Sequence, residues 1–462
     1  MLTKFKKKYI GNWEFYRRYL LLAIPMILQN AITNLVSFLD NIMVGQLGTE
    51  QMSGVAIVNQ LIFVYNLAIF GAVSAASIFG AQYFGKGNHK GHMYSFRFKL
   101  YATLLVTGGA ILLFLTKGSA LISLYLTDTV GNGATDVALK YGQEYLAIMM
   151  VGLIPFAVNQ SYATNIKETG QTFIPMLASF VAVGTNAILD YLMIFGIGPF
   201  PELGVQGAAL ATVIARYIEA LIVVIWAHIH RGKNRYLEGA YTGFGIPLAE
   251  LKAILIKGFP LMMNEVLWAA GMTTVTQCYS VRGLDVVAGL NIASTITNLF
   301  NIVYLQLGSC ISIVVGQYLG AGKLEDAKDA DNKMIVFSVF CCVIMAALMF
   351  VVGGFFPGIY NTTEEIRELA TSFIAVSAII MPFCAFSHAS YFTLRSGGKT
   401  VVTFLFDSVF TWVIVVPAAY LLAHFTGLGI VSIYFLVQGT ELIKVIIGYL
   451  MVKSNVWVVQ MV

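Results

Sequence analysis

Charged residues are scarce in this chain of 462 residues, where Asp, Glu, Lys and Arg together make up only 11%. A soluble domain carries about 25% charged residues, so the composition excludes an ordinary water-soluble enzyme. Hydrophobic residues make up 58%, and the mean hydropathy is +0.79. Residues 51–85 and 408–440 contain no charge at all, whereas a transmembrane β-barrel shows alternation in strands of roughly ten residues. We therefore predict an all-α integral membrane protein.

Cysteine and histidine are also few, with five and six residues, and neither shows the spacing of a metal or redox site. The chain has no G-x-x-x-x-G-K-[ST] motif, so direct drive by ATP is not expected. No metal-binding histidine cluster or paired catalytic groups are evident, which argues against an intramembrane enzyme. We expect neither a cofactor nor a nucleic-acid partner, and we expect the chain to act as a monomer in the bilayer.

Twelve apolar segments are long enough to cross a bilayer, which takes about 20 residues per helix. The predicted spans are 19–46, 54–78, 93–116, 138–163, 172–196, 204–229, 251–279, 286–313, 332–354, 367–392, 402–424 and 428–452. Every second connection is rich in Lys and Arg, as in GKGNHKGHMYSFRFK and HRGKNRYLEG, and cytoplasmic connections carry this excess. We predict a multi-pass protein of the plasma membrane with both termini cytoplasmic, although Arg282 then lies on the outer side.

An internal repeat appears when the chain is shifted by 235 residues against itself. The strongest match places GAQYFGKG at 80–87 over VGQYLGAG at 315–322, and Pro25 over Pro260. Six predicted spans separate the copies, an even number, so both copies enter the membrane in the same direction. Parallel repeats of this kind are a transporter architecture. We predict two six-helix lobes, residues 1–235 and 236–462, with the substrate path between them.

The sequence resembles the multidrug and toxic compound extrusion (MATE) family over nearly its whole length. The resemblance rests on IPMILQNAITNLVSFLDNIMVGQLG (24–48), GQYLGAGKLEDA (316–327), NAILD (186–190) and GAALAT (207–212). It implies a twelve-helix exporter that moves amphipathic, often cationic, organic compounds by alternating access, driven by protons or Na⁺. The pattern of acids is closest to the DinF-like bacterial branch.

Asp40 lies inside the first predicted span, where a carboxylate costs about 2.5–3.5 kcal/mol on insertion scales. An acid of this kind faces a cavity more readily than lipid. Its repeat partner is the apolar Val275, which favours an ion site in the amino-terminal half. A helix-packing hydrogen bond is the alternative role for Asp40.

Asn186 and Asp190 are four residues apart and therefore share one face of a helix. With Asp40 they could hold Na⁺ through oxygen atoms, or share a proton between the two acids. The family resemblance implies that Thr212 and a fourth-span asparagine complete the cation-coupling site, with Asn159 as the candidate and Gln160 as the alternative.

Glu265 follows Pro260 in the seventh predicted span, and its repeat partner is Asn30. NorM-like relatives place a Glu in this span and often an acid in the tenth, but here the tenth span has no interior acid. We therefore assign Glu265 and Asn30 to substrate binding, with a simple packing hydrogen bond as the alternative for Glu265.

Several other polar residues lie within or near the spans. Asp407 is close to a cytoplasmic end, where water reaches it, and the i,i+3 pairs Arg216 with Glu219 and Glu441 with Lys444 are expected to neutralise each other. A flippase for lipid-linked precursors is the alternative function, but its cavity would be lined with several Lys or Arg. A channel would not need an acid pair confined to one half.

Overall fold

The computed structural model describes residues 9–126, 132–243 and 245–462, and these residues form helices without β-strands. Within these ranges twelve helices are long and apolar enough to cross a membrane. They are α1 (Trp13–Gly45), α2 (Thr49–Lys86), α3 (His89–Ser123), α4 (Thr135–Glu168), α5 (Phe173–Ile194), α6 (Val205–Ile229), α7 (Leu248–Ser280), α8 (Leu284–Gly320), α9 (Leu324–Ile359), α10 (Glu364–Ser396), α11 (Thr400–Phe425) and α12 (Ile430–Lys453). The prediction of an all-α protein with twelve spans is confirmed.

Most of these helices extend several residues beyond the predicted spans. The second predicted span covers 54–78, for example, whereas α2 covers Thr49–Lys86. Hydropathy detects only the apolar centre of a helix, because polar residues at its ends lower the average without breaking the backbone hydrogen bonds.

Pro25 and Pro260 lie within the continuous helices α1 and α7. A proline leaves one helical carbonyl without its usual N–H donor, which makes bending at that point less costly. The two prolines are related by the repeat, so each half of the chain carries the same local weakness in its first helix.

Four other helices depart locally from α geometry, among them α9, which ends in a 3₁₀ turn at Phe356–Ile359. α4 contains a 3₁₀ turn at Met150–Gly152, and α11 contains π-helical turns at Leu405–Val409 and Thr411–Val415. α12 is interrupted at Thr440, between Ile430–Gly439 and Glu441–Lys453. Such interruptions free backbone carbonyls and often occur at functional positions.

The chain divides into two compact units, each with its own core. The N-unit contains residues 28–80 and 89–252, where α5 packs along α6 and α4 packs against α3 and α6. The C-unit contains residues 9–27, 81–88 and 253–462, where α8 packs against α9 and α10. Both α1 and α2 contribute to each unit, and the lobe boundary near residue 235 stays a prediction.

Candidate cation site and family

Asp40 on α1 and Asp190 on α5 lie close enough for their carboxyl groups to interact directly. Asp190 is only 1% exposed, and Asp40 is partly buried. Among the described residues, no donor hydrogen-bonds either Asp190 oxygen or the buried Oδ1 of Asp40. Two carboxylates in contact repel each other, so the arrangement is stable when a proton or a cation lies between them.

Asn186 connects this acid pair to α6. It lies one turn before Asp190 on the same helix face and contacts it, and its Nδ2 donates a hydrogen bond of 3.4 Å to Thr212 Oγ1. The structure therefore brings together two carboxyl groups, an amide and a hydroxyl from α1, α5 and α6. Oxygen atoms of these types are suitable ligands for Na⁺, and the acid pair is equally suited to a proton.

The contacts of Asn159 lead to a different acid. Asn159 is buried on α4 and interacts with Glu219 on α6, which also accepts a hydrogen bond from Ser179 Oγ. Gln29 Nε2 in turn donates to Ser179 Oγ at 2.7 Å. Sequence reasoning assigned Asn159 to the site of Asp40 and named Glu219 only as the expected partner of Arg216.

Arg216 does not form the expected ion pair with Glu219. Within the described part of the chain no carboxylate lies within 4.0 Å of its guanidinium. The guanidinium lies over the ring of Phe156, 5.1 Å from its centre, and Nη1 donates a long hydrogen bond of 3.4 Å to Gly152 O. Gly152 belongs to the 3₁₀ turn of α4. Thr212, Arg216 and Glu219 occupy positions i, i+4 and i+7 of α6, which is the sequence signal for a shared face.

The C-unit holds a second polar group around Asp407. Lys444 Nζ lies 2.7 Å from Asp407 Oδ1, and Asn264 Nδ2 donates to Asp407 Oδ2 at 3.0 Å. The Lys444 and Asp407 side chains are only 8% and 15% exposed. Within the described residues Lys444 forms its ion pair with Asp407, so the expected pair with Glu441 was wrong, because α12 directs Lys444 towards α11. The hydration of Asp407 stays a prediction.

The two residues assigned to substrate binding lie in different units. Glu265 is partly buried on α7 and interacts electrostatically with Arg395 and Asp407. Asn30 is partly buried on α1, and its carbonyl accepts a hydrogen bond from Asn34 Nδ2 at 2.9 Å. Their role in substrate binding stays a prediction. In the described ranges, no group of three or more His, Cys, Asp or Glu residues could hold a metal ion.

Comparison with known proteins explains the repeat. The MatE family profile matches the chain twice, over residues 25–192 and 260–421. The two matches begin at the repeat-related prolines. The chain belongs to the MATE family. It is therefore a multi-pass membrane protein of a multidrug efflux transporter family.

Relatives of this MATE transporter align with most of its length. It is 23% identical over 421 residues to the probable multidrug resistance protein NorM of Thermotoga maritima, covering 91% of this chain and 88% of the relative. The fold is similar to a multidrug resistance MATE transporter of the MOP superfamily solved in an outward-facing conformation, with a TM-score of 0.85 at 20% identity and 95% coverage of both chains.

A second solved structure is equally similar in fold. It is a MOP superfamily transporter from Pyrococcus furiosus, with a TM-score of 0.85, 20% identity and 95% coverage of both chains. That protein is described as having a binding pocket of reverse polarity that suggests a different function. At this identity the likeness concerns the fold alone.

Proposed function

We propose that this MATE transporter is a secondary antiporter that exports amphipathic, cationic organic compounds by alternating access, in exchange for H⁺ or Na⁺. The observation that carries the proposal is the contact between Asp40 and Asp190, with buried oxygens that no described donor satisfies. A permanent structural pair of acids would be expected to have such donors.

The acid pair joins two elements whose packing can change. Asp40 lies on α1, which carries Pro25 and contributes to both compact units, whereas Asp190 lies on α5 within the N-unit. When the pair is empty and charged, repulsion favours an arrangement in which α1 and α5 separate. A bound proton or Na⁺ favours the arrangement in which they approach.

Coupling requires that the ion and the exported compound prefer different states, because a ligand with equal affinity for both states shifts nothing. In our mechanism the ion binds at Asp40, Asn186, Asp190 and Thr212, and the exported compound binds the state in which this site is empty. Both termini are cytoplasmic in this scheme, and the protein lies in the plasma membrane as a monomer.

The test is uptake of a fluorescent organic cation into proteoliposomes, with a proton gradient and a Na⁺ gradient imposed separately. One gradient should drive uptake, and Asp40→Asn and Asp190→Asn should each abolish the gradient-dependent part. Glu202→Gln, which changes an exposed acid in the connection between α5 and α6, is the matched control and should transport normally. If neither gradient drives uptake, or if the Asn variants keep it, the antiport proposal is wrong.

A further inference from the structure

We propose that the N-unit contains a second site for a monovalent cation, with the chemistry that suits Na⁺. It is formed by one polar side chain from each of α1, α4, α5 and α6, namely Gln29, Asn159, Ser179 and Glu219. None of these residues belongs to the coupling site proposed above, which contains the acid pair. The inference therefore holds whether or not the protein is an antiporter.

A chain of hydrogen bonds fixes the orientation of these side chains. Ser179 Oγ donates its only proton to Glu219, so it accepts in its contact with Gln29, whose Nε2 donates to it at 2.7 Å. Asn159 also interacts with Glu219. Because an ionised carboxylate only accepts, the amide nitrogen of Asn159 is the group that satisfies it. Both amides thus use their nitrogen atoms within the group.

The two amide oxygens are left without donors. Within the described ranges, Gln29 Oε1 and Asn159 Oδ1 are buried and accept no hydrogen bond. Asn159 as a whole is only 4% exposed. A buried oxygen without a partner is costly, and here two of them belong to side chains that contact one carboxylate or its hydroxyl partner. Such oxygens are suited to bind a positively charged group.

The charge of Glu219 is also uncompensated at close range. In the part of the chain that the structure describes, no cationic group lies within 4.0 Å of its carboxylate. Arg216 and Lys167 interact with it electrostatically from a greater distance. Carboxylate, hydroxyl and amide oxygens are ligands of hard cations, and one carboxylate balances one positive charge.

A proton alone would leave the group incomplete. A protonated Glu219 has a single O–H, which can donate to the oxygen of Gln29 or to that of Asn159 but not to both. A metal ion has no such limit, because it attracts several oxygens at once. The presence of two oxygens without donors therefore favours Na⁺ over a proton at this site.

The internal repeat relates this group to the polar group around Asp407 in the C-unit. The shift between the copies decreases along the chain, from 235 residues at the prolines to 228 where GQT (170–172) matches GKT (398–400), and to 225 where LG (203–204) matches LG (428–429). The last match is also structural, since α6 and α12 both begin directly after its glycine. Three members of the group then have partners, which are Gln29 with Asn264, Ser179 with Asp407, and Glu219 with Lys444.

The C-unit group contains its own cation. Lys444 Nζ lies 2.7 Å from Asp407 Oδ1, and Asn264 donates to the other oxygen of the same carboxylate. One acid and one ammonium are therefore in contact there, and their charges cancel. At the related positions of the N-unit there is one acid, Glu219, and no base. The positive charge that Lys444 supplies in one unit has to come from a bound ion in the other.

The experiment measures Na⁺ binding in a transporter that lacks the acid pair. Radioactive Na⁺ is titrated onto the purified protein carrying Asp40→Asn and Asp190→Asn, and bound ion is detected by scintillation proximity, with N-methylglucamine keeping the ionic strength constant. We expect saturable binding to a single site. Adding Glu219→Gln should weaken that binding at least about tenfold, the loss expected when a charged partner is removed.

Two variants at Asn159 keep the inference testable if Glu219→Gln is unstable. In the same background, Asn159→Leu removes the amide oxygen and should also weaken binding at least about tenfold, whereas Asn159→Asp keeps an oxygen there and should retain binding. Glu202→Gln changes an exposed acid and should have no effect.

The absence of saturable Na⁺ binding in the background variant, or binding that survives Glu219→Gln or Asn159→Leu unchanged, would overturn the inference. Every protein in this experiment lacks the acid pair, so the result is independent of antiport. Gradient-driven uptake into proteoliposomes tests antiport separately, and either proposal can fail alone.

Discussion

Gly320 lies so close to the backbone of Gln82 that a Cβ at Gly320 would overlap the Gln82 carbonyl oxygen. Gly85 is related to Gly320 by the repeat, and a Cβ at Gly85 would overlap the carbonyl oxygen of Gln317, the repeat partner of Gln82. The two copies of the strongest repeat motif therefore pack against each other reciprocally within the C-unit. The glycines of this motif are needed for close backbone approach, which explains why both copies retain them.

Alanine at Gly320 or Gly85 should destabilise the transporter. Because a carbonyl oxygen of the backbone cannot move aside as a side chain can, we expect a cost of about 1–3 kcal/mol or more for each substitution. The measurement is the melting temperature of the detergent-solubilised protein. Gly108→Ala is the control, since nothing lies within 4 Å of a Cβ built there. Equal melting temperatures for all three variants would contradict the packing described.

Removing one partner of the buried ion pair between Lys444 and Asp407 should lower the stability of the transporter more than removing both. Lys444→Met leaves the Asp407 carboxylate uncompensated, at a cost of about 3–5 kcal/mol, whereas the double variant with Asp407→Asn should recover most of that stability. Lys328→Met breaks an exposed pair with Glu325 and should cost only about 0–1 kcal/mol. Thermal unfolding of the four proteins checks this, and a double variant less stable than Lys444→Met would refute it.

The sequence was sufficient for the fold because the bilayer imposes a simple rule, that each crossing needs a long apolar helix. The repeat was also visible in the sequence, where a shift of 235 residues places Pro25 over Pro260. The two family matches begin at these two prolines. The side-chain partners were less predictable. Lys444 and Asp407 are 37 residues apart, and a local i,i+3 rule cannot detect a contact between separate helices.

The same limitation explains why the contacts of Asn159 and Arg216 were not predicted. The resemblance assigned Asn159 to the acid pair, and local spacing assigned Arg216 to Glu219, but the structure joins Asn159 to Glu219 and places Arg216 over Phe156. Glu219 instead accepts a hydrogen bond from the hydroxyl group of Ser179 on α5. A short polar side chain inside an apolar helix gives no sequence signal of its direction, because either face of α5 would accommodate it.

The carboxyl-terminal segment should contribute strongly to stability. Trp457 is 1% exposed, and its Nε1 donates to Val452 O at 3.1 Å. Trp457→Ala should therefore cost about 3–5 kcal/mol, whereas Trp13→Ala, at a residue 73% exposed, should cost little. Thermal unfolding with both variants prepared in the same detergent is the measurement. A Trp457→Ala protein as stable as Trp13→Ala would show that this segment does not stabilise the C-unit.

Removing one charge of the acid pair should stabilise the transporter while abolishing coupling. Asp190→Asn relieves the repulsion between Asp40 and Asp190, so we expect a higher melting temperature than that of the wild type measured without the coupling ion.

A ligand that binds only the folded protein adds stability as its concentration rises. The wild type should therefore gain stability with added Na⁺ if Na⁺ is the coupling ion, or as the pH falls if the ion is a proton, because the folded site then binds the proton more strongly than the unfolded chain. Asp40→Asn and Asp190→Asn should each flatten that dependence, whereas Glu202→Gln should retain it. A wild type that responds to neither ion, or variants that respond as strongly as the wild type, would show that the pair of acids is not where the coupling ion binds.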